Sequence, residues 1–157
     1  MSITLPQKKF EDVVLFLLSR ALGQRLGVTK LWKLVYYVDV MHVEQFGRAV
    51  TGVRFIKDRH GPVPAEGLAL VERLGERRAA SLEKARRFRH YQHLCRAMVP
   101  PDLRDFEFSE RAVLEEVALE WMQATTKQLE LAIRESQPWK AARYGDQLLI
   151  VGRSGAA

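Results

Sequence analysis

The stretch TKLWKLVYYVDVMHVEQF, residues 29–46, decides how the rest of the chain is read. Leu31, Leu34, Val35, Val38, Met41 and Gln45 recur at helical spacing on one face, while Trp32, Tyr36, Tyr37, Val40 and Val43 make most of the remaining circumference apolar or aromatic. Each large apolar side chain contributes roughly 1.5–3 kcal/mol only when water is kept from it, so a helix of this kind belongs inside a domain. The pattern predicts a central helix wrapped by other elements. Thr29 is placed to cap its start and Gly47 to close it in a left-handed turn. The segment FIKDRHGPVP (55–64) then predicts a rigid, turn-rich strip.

Upstream, Phe10, Val13, Val14, Leu17, Leu18, Ala21 and Leu22 give an amphipathic helix over about residues 8–22, with Glu11 and Asp12 near its positive end and Gly23 and Gly27 bracketing its exit. Downstream, VTGVRFI (50–56) predicts a short strand, and the best partner for it is YQHLCRAMV (91–99), which ends at Pro100-Pro101; a short helix over 94–98 fits that segment almost as well. Pro64 suits the first turn of a helix reaching Leu74, with Leu68, Val71 and Leu74 inward and Gly75 as its stop. Ser109 is placed to cap a helix with Val113, Val117 and Trp121 inward and Leu114, Ala118 and Met122 beside them. Thr125 to Gln128 has capping-box spacing for a further helix burying Leu129, Ala132 and Ile133, which Pro138 ends. Trp139 to Tyr144 makes another turn or short helix stopped by Gly145, and 148–151 is a last apolar piece able to join a sheet. The expected fold is mainly α (α+β): one helical domain over residues 1–157, its core over about 8–151, around a buried central helix with a small antiparallel sheet.

A chain of 157 residues is long enough to bury such a core without staples. The single Cys95 rules out an internal disulfide, and neither a signal-peptide pattern nor a long uncharged apolar run is present, so the expectation is a soluble, cytoplasmic protein without a membrane partner. The net charge of +6 is unevenly spread. Residues 71–100 carry 8 Lys/Arg against 3 Asp/Glu, and residues 101–137 carry 4 against 9. Solvated helix faces of opposite sign explain this polarity most simply; a partner surface is the alternative. The segment GERRAASLEKARRFRH (75–90) is the most basic, with Arg77, Arg78, Lys84, Arg86, Arg87 and Arg89, and reads as an exposed helix or mobile arm.

Chemistry is sparse. His90, His93 and Cys95 lie close together, but zinc wants four ligands and no second pair exists; His42 and His60 would have to come from afar. There is no G-x-S-x-G turn, no phosphate loop and no H-E-x-x-H, so the sequence argues for no enzyme and no cofactor. Nucleic acid is the stronger rival partner, because the run from Arg77 to His93 offers phosphate contacts with Phe88 and Tyr91 for stacking. The loop Arg59-His60-Gly61-Pro62-Val63-Pro64 fixes backbone direction, which serves equally as a rigid entry to a helix or as a contact surface.

Three blocks stand in order along the chain: K-L-W-K-L-V-Y-Y (30–37) with His42 and Gly47 after it, R-H-G-P-V-P (59–64), and F-S-E (108–110) followed by Q-P-W-K-A-A-R (137–143). Their order and spacing resemble the Panacea domain, the SocA-like antitoxin family that includes phage-associated GepA proteins. The resemblance spans about residues 10–150. It places Leu31, Trp32, Lys33, Leu34, Tyr36, Tyr37, Gly61, Pro62 and Trp139 at signature or core positions; His60 departs from the aromatic that the family commonly carries there, and the basic 76–90 segment falls where members vary. The resemblance implies an antitoxin of a toxin-antitoxin system that binds and neutralises a toxin, often one encoded beside it. SocA itself delivers its toxin to the ClpXP protease, so delivery is the alternative to blocking. The expected partner surface comprises Arg59, His60, Pro62, Arg77, Arg78, Arg86, Arg87, Trp139 and Tyr144.

Overall fold

The polypeptide builds six helices and two three-stranded antiparallel sheets among the residues that a computed structural model describes, 3–87 and 90–152, with only the backbone considered at Arg87 and His90. The central helix, α2 (Val28–Phe46), has eleven buried residues from Leu31 to His42, as its all-round apolar pattern predicts. Gly47 ends it with φ 83°, its N–H donating to the Val43 carbonyl. The start differs from the Thr29 expectation. A two-residue strand, β1 (Leu26–Gly27), runs directly into the helix, so Gly27 is the N-cap and Thr29 lies exposed in the first turn. Gln45, expected on the apolar face, is also exposed.

α1 (Leu5–Ser19) begins earlier than its apolar spacing indicates, because Thr4 and Gln7 form a capping box and Pro6 occupies the first turn. Its Glu11 and Asp12 are buried rather than solvated. After α2 the chain does not extend at once: the buried Asp39 carboxylate accepts from the Val50 and Thr51 amides at 3.0 and 2.9 Å and from the Thr51 hydroxyl at 2.5 Å. The strand therefore starts only at β2 (Phe55–Asp58), which pairs locally with β3 (Gly61–Pro64) and, on its other side, with β6 (Gln147–Leu148). This corrects the expected pairing with residues 91–99. β2 takes β3 through a two-residue turn on one edge and β6 on the other, so neither edge is left for 91–99, whose residues pair instead with β4.

Pro64 lies in β3 opposite Phe55, and the following helix α3 runs from Gly67 to Glu76. Leu70, Val71 and Leu74 are its buried side, Leu68 is exposed, and Gly75 sits inside the last turn. Gly67 has no room for a side chain, since a Cβ there would meet the Trp32 ring at 2.8 Å. The basic segment expected as a helix or arm is instead β4 (Ala80–Arg87), paired through its full length with β5 (His90–Ala97), and β1 adds at Leu26–Cys95 and Gly27–Leu94. Ala80, Leu82, Cys95 and Ala97 anchor the proximal half of this ribbon on the core.

α4 (Phe108–Trp121), α5 (Thr126–Glu135) and α6 (Gln137–Ala141) complete the chain. Val113, Leu114, Val117, Ala118 and Met122 are buried and Trp121 is half-buried against Tyr37, their rings 4.8 Å apart. Glu107, not Ser109, precedes α4, and its amide donates to the Glu110 carboxylate at 2.8 Å. The Thr125–Gln128 capping box forms as its spacing indicates. Pro138 lies in the first turn of α6, because α5 has already closed at Ser136. Among the described residues no helix is long and apolar enough to cross a membrane.

Candidate partner-binding surface

The three sequence blocks that stand apart in the chain meet around α2. Lys33 runs beneath the β2–β3 turn, where Gly61 adopts φ 122° and a Cβ would meet the Lys33 Cε at 2.8 Å. The Lys33 side chain is buried among these neighbours, and loss of hydration lowers its pKa below the usual lysine range. One turn earlier, Lys30 donates to the Met122 and Ala124 carbonyls at 2.6 and 3.3 Å, holding the end of α4. Tyr36 packs edge-on against Phe55 and shares a 2.7 Å hydrogen bond with the Ser136 hydroxyl, while burial pushes its phenol up to about 12. Leu31, Trp32 and Leu34 are buried and Tyr37 is half-buried. The signature residues thus serve the interior.

The hairpin and α6 meet through Lys57. Its ammonium donates to the Trp139 carbonyl at 2.8 Å and the Ala142 carbonyl at 3.1 Å, and lies 4.6 and 4.9 Å from the ring centroids of Trp139 and Tyr144. Those rings meet at 88°, with Trp139 buried and Tyr144 61% exposed. A buried lysine held by carbonyl dipoles and ring faces retains favourable contacts without a carboxylate. Next to this cluster, a groove of about 470 Å³ lies between α6 and β6, lined by Pro138, Ala141, Ala142, Leu149 and Val151 among others. Arg59 and His60 form the exposed tip of the hairpin; Pro62 is buried in β3.

On the other sheet the two faces of the β4–β5 ribbon separate by register. Leu82 opposes Cys95, Lys84 opposes His93 and Arg86 opposes Tyr91, so one face changes from apolar and buried to cationic, aromatic and exposed. Lys84 lies 4.5 Å from the Tyr91 ring centroid, and Tyr91 is 62% exposed. Glu83 belongs to the opposite face and is salt-bridged to Arg25. Arg77 is turned away from the ribbon toward the buried Glu11, at 3.4 Å, whereas Arg78 is exposed at φ 58°. The side chains of Arg87 and His90, and Phe88 and Arg89 altogether, lie outside the described residues.

The candidate site residues therefore fall into two exposed patches, Arg59, His60 and Tyr144 about the β2–β3 hairpin and Arg86 on the outer ribbon, with Arg78 exposed apart from it before β4, while Pro62 and Trp139 support the first from beneath. The groups that sequence considered for catalysis are dispersed. His42 is fully buried, with Nδ1–H donating to the Arg48 carbonyl at 2.6 Å and Nε2 accepting from the Ser109 hydroxyl at 2.9 Å; Cys95 faces the core, where burial raises its thiol to about 11; His60 is at the hairpin tip. Among the described residues no cluster of His, Cys, Asp or Glu is placed to hold a metal. Sequence reasoning missed Lys57 and Leu149 beside these patches and named Tyr91 only as a stacking residue for nucleic acid. The alternation of Lys84 and Arg86 was a signal for an outer strand face, but the helix-forming residues around it obscured it.

A buried ionic junction sets how α1, α2 and α4 meet. Burial works against charge on Glu110, yet Lys9 at 2.5 Å, the Glu107 amide and Arg48 at 3.1 Å hold its carboxyl below the usual range. Comparison with curated proteins and with solved structures gives no significant match. The sequence model of the family described as "Antitoxin SocA-like, Panacea domain" matches residues 31–140, more than half of the chain and all of α2 from Leu31 onward, the β2–β3 hairpin and the Trp139 turn. The chain belongs to the SocA-like antitoxin family and carries its Panacea domain.

Proposed function

We propose that this protein is an antitoxin that neutralises a toxin encoded beside it by direct protein–protein binding. The family match supports an antitoxin role and a protein partner, and a non-catalytic one. The observation that carries the reading further is the division of labour in the signature: Leu31, Lys33, Leu34, Tyr36, Gly61 and Trp139 are used internally, leaving two exposed patches of cations and aromatics on a rigid frame. Arg and Tyr on a preorganised surface are the residue types that dominate protein interfaces, with cations steering encounter and rings anchoring it. Blocking by occupancy needs only such a surface.

The test is co-expression with the adjacent open reading frame. Growth is expected only when this chain is present, and the two products should purify together. Continued growth arrest despite a folded, expressed antitoxin overturns the reading. Repeating the rescue in cells without ClpXP separates blocking, which survives there, from proteolytic delivery, which does not.

A further inference from the structure

The strand order β1-β5-β4 leaves β4 at the edge of its sheet, and β1 covers β5 only at Cys95 and Leu94. Beyond these residues the ribbon projects past the core, with Glu83, Lys84, Arg86, Tyr91 and His93 exposed. We propose that the outer edge of β4 is a docking edge for an extended acidic segment of the protein partner, which adds to the sheet as a further strand. This rests on the reading of the chain as a protein-binding antitoxin.

Two features decide the occupant. An edge strand presents both N–H donors and carbonyl acceptors, and an added strand satisfies both at a 4.7–4.9 Å spacing typical of neighbouring strands, whereas a nucleic-acid phosphate satisfies donors and cations alone. The exposed face also carries Lys84, Arg86 and His93 with no carboxylate among its described residues, Glu83 being on the other face. Lys84 and Arg86 are two residues apart on β4, the period at which side chains of an added strand recur on one face, so alternating carboxylates come opposite them. A second copy of this chain pairing through the same edge would set cation against cation, which disfavours self-association. Tyr91 shares this face, with Lys84 over its ring, while the residues between the acids turn to the opposite face, where Ala85 lies.

The experiment titrates the full chain with a short peptide alternating Glu and Val, with the same peptide N-methylated at alternate amides, and with a duplex DNA of random sequence. The acidic peptide is expected to bind, to slow amide exchange along β4, and to weaken by about tenfold or more in the Lys84→Glu/Arg86→Glu double variant; N-methylation should abolish binding. Absence of peptide binding, binding indifferent to N-methylation, or preferential binding of the duplex without protection of β4 overturns the proposal. An unchanged thermal melt for the double variant keeps a folding defect from mimicking the result. If that variant still rescues cells from the toxin, the docking edge is wrong while the antitoxin reading stands; if the unaltered chain fails to rescue, it is the antitoxin reading that fails.

Discussion

The Lys30–Tyr37 turns of α2 and the outer half of the β4–β5 ribbon are both rich in cations and aromatics, yet they use them in opposite ways. In α2, Lys30 caps a neighbouring helix, Lys33 lies buried under the hairpin and Tyr36 bonds to Ser136 in the core. In the ribbon, Lys84 and Tyr91 interact with one another at the surface. Residue type alone does not separate scaffold from contact surface; the packing around it does. A cation whose donors are taken by fixed carbonyls orders the fold, and one held over an exposed ring can still meet an incoming carboxylate.

The contrast is broken most severely by Leu34→Ala. Leu34 is fully buried, so truncation should cost about 2–5 kcal/mol in denaturant unfolding through lost transfer energy and a residual cavity. A loss below about 1 kcal/mol would remove α2 from the centre of the account.

Proton linkage offers the next probe of the interior. Burial raises the Asp39 carboxyl to about 6 despite its hydrogen bonds from Thr51 and Val50. The folded chain binds this proton more tightly than the unfolded one, so the stability contributed by Asp39 is greatest below about pH 4 and declines until about pH 6, by roughly 3 kcal/mol. Glu110 has the opposite sign: its depressed carboxyl stabilises the fold above the ordinary glutamate range and loses that contribution as acid protonates it. Unfolding profiles against pH should flatten in different windows for Asp39→Asn and Glu110→Gln, and identical profiles would refute this assignment.

Gly61→Ala should have a smaller effect on stability, about 1–3 kcal/mol, mostly from imposing φ 122° on a residue with a Cβ. The flexible end of Lys33 can retreat from the added methyl, so Lys33→Ala should recover only a little of the loss. Full recovery in the double variant would make steric contact, rather than backbone strain, the cause. Smallest for the fold is Lys84→Ala in the ribbon, expected to change stability by less than about 0.5 kcal/mol while weakening partner binding. A large drop in melting temperature would place Lys84 on the scaffold side of the comparison.

The interior was the legible part of the fold. An apolar circumference sustained over α2 admits few arrangements, and the capping box at Thr125 is local chemistry that needs no tertiary partner. The ribbon was hidden because its core face is carried by only four residues, Ala80, Leu82, Cys95 and Ala97, two of them alanines; farther out the exposed residues are mostly polar, and Glu, Lys, Ala and Arg in 76–90 favour a helix when no neighbour is considered. Ser109 looks like a cap from its local context, but its hydroxyl answers His42 across the fold. The signature blocks pointed to the family, while their depth became apparent only when Gly61 was placed over Lys33 and Trp139 beside Lys57. Of the candidate surface, Arg59 and His60 were readable as an exposed turn; Tyr91 depended on a strand register that long-range packing determines.

α2 and its signature form the scaffold, and the proposed toxin contact falls to the exposed patches. Amide exchange measured on the purified chain alone and in complex with the adjacent gene's product tests this most directly. Protection is expected at β4, the Arg59–His60 turn and the Tyr144 region, with the amides of α2 unchanged; protection or opening concentrated in α2, with the ribbon and hairpin tip unaffected, would place the toxin on the scaffold instead.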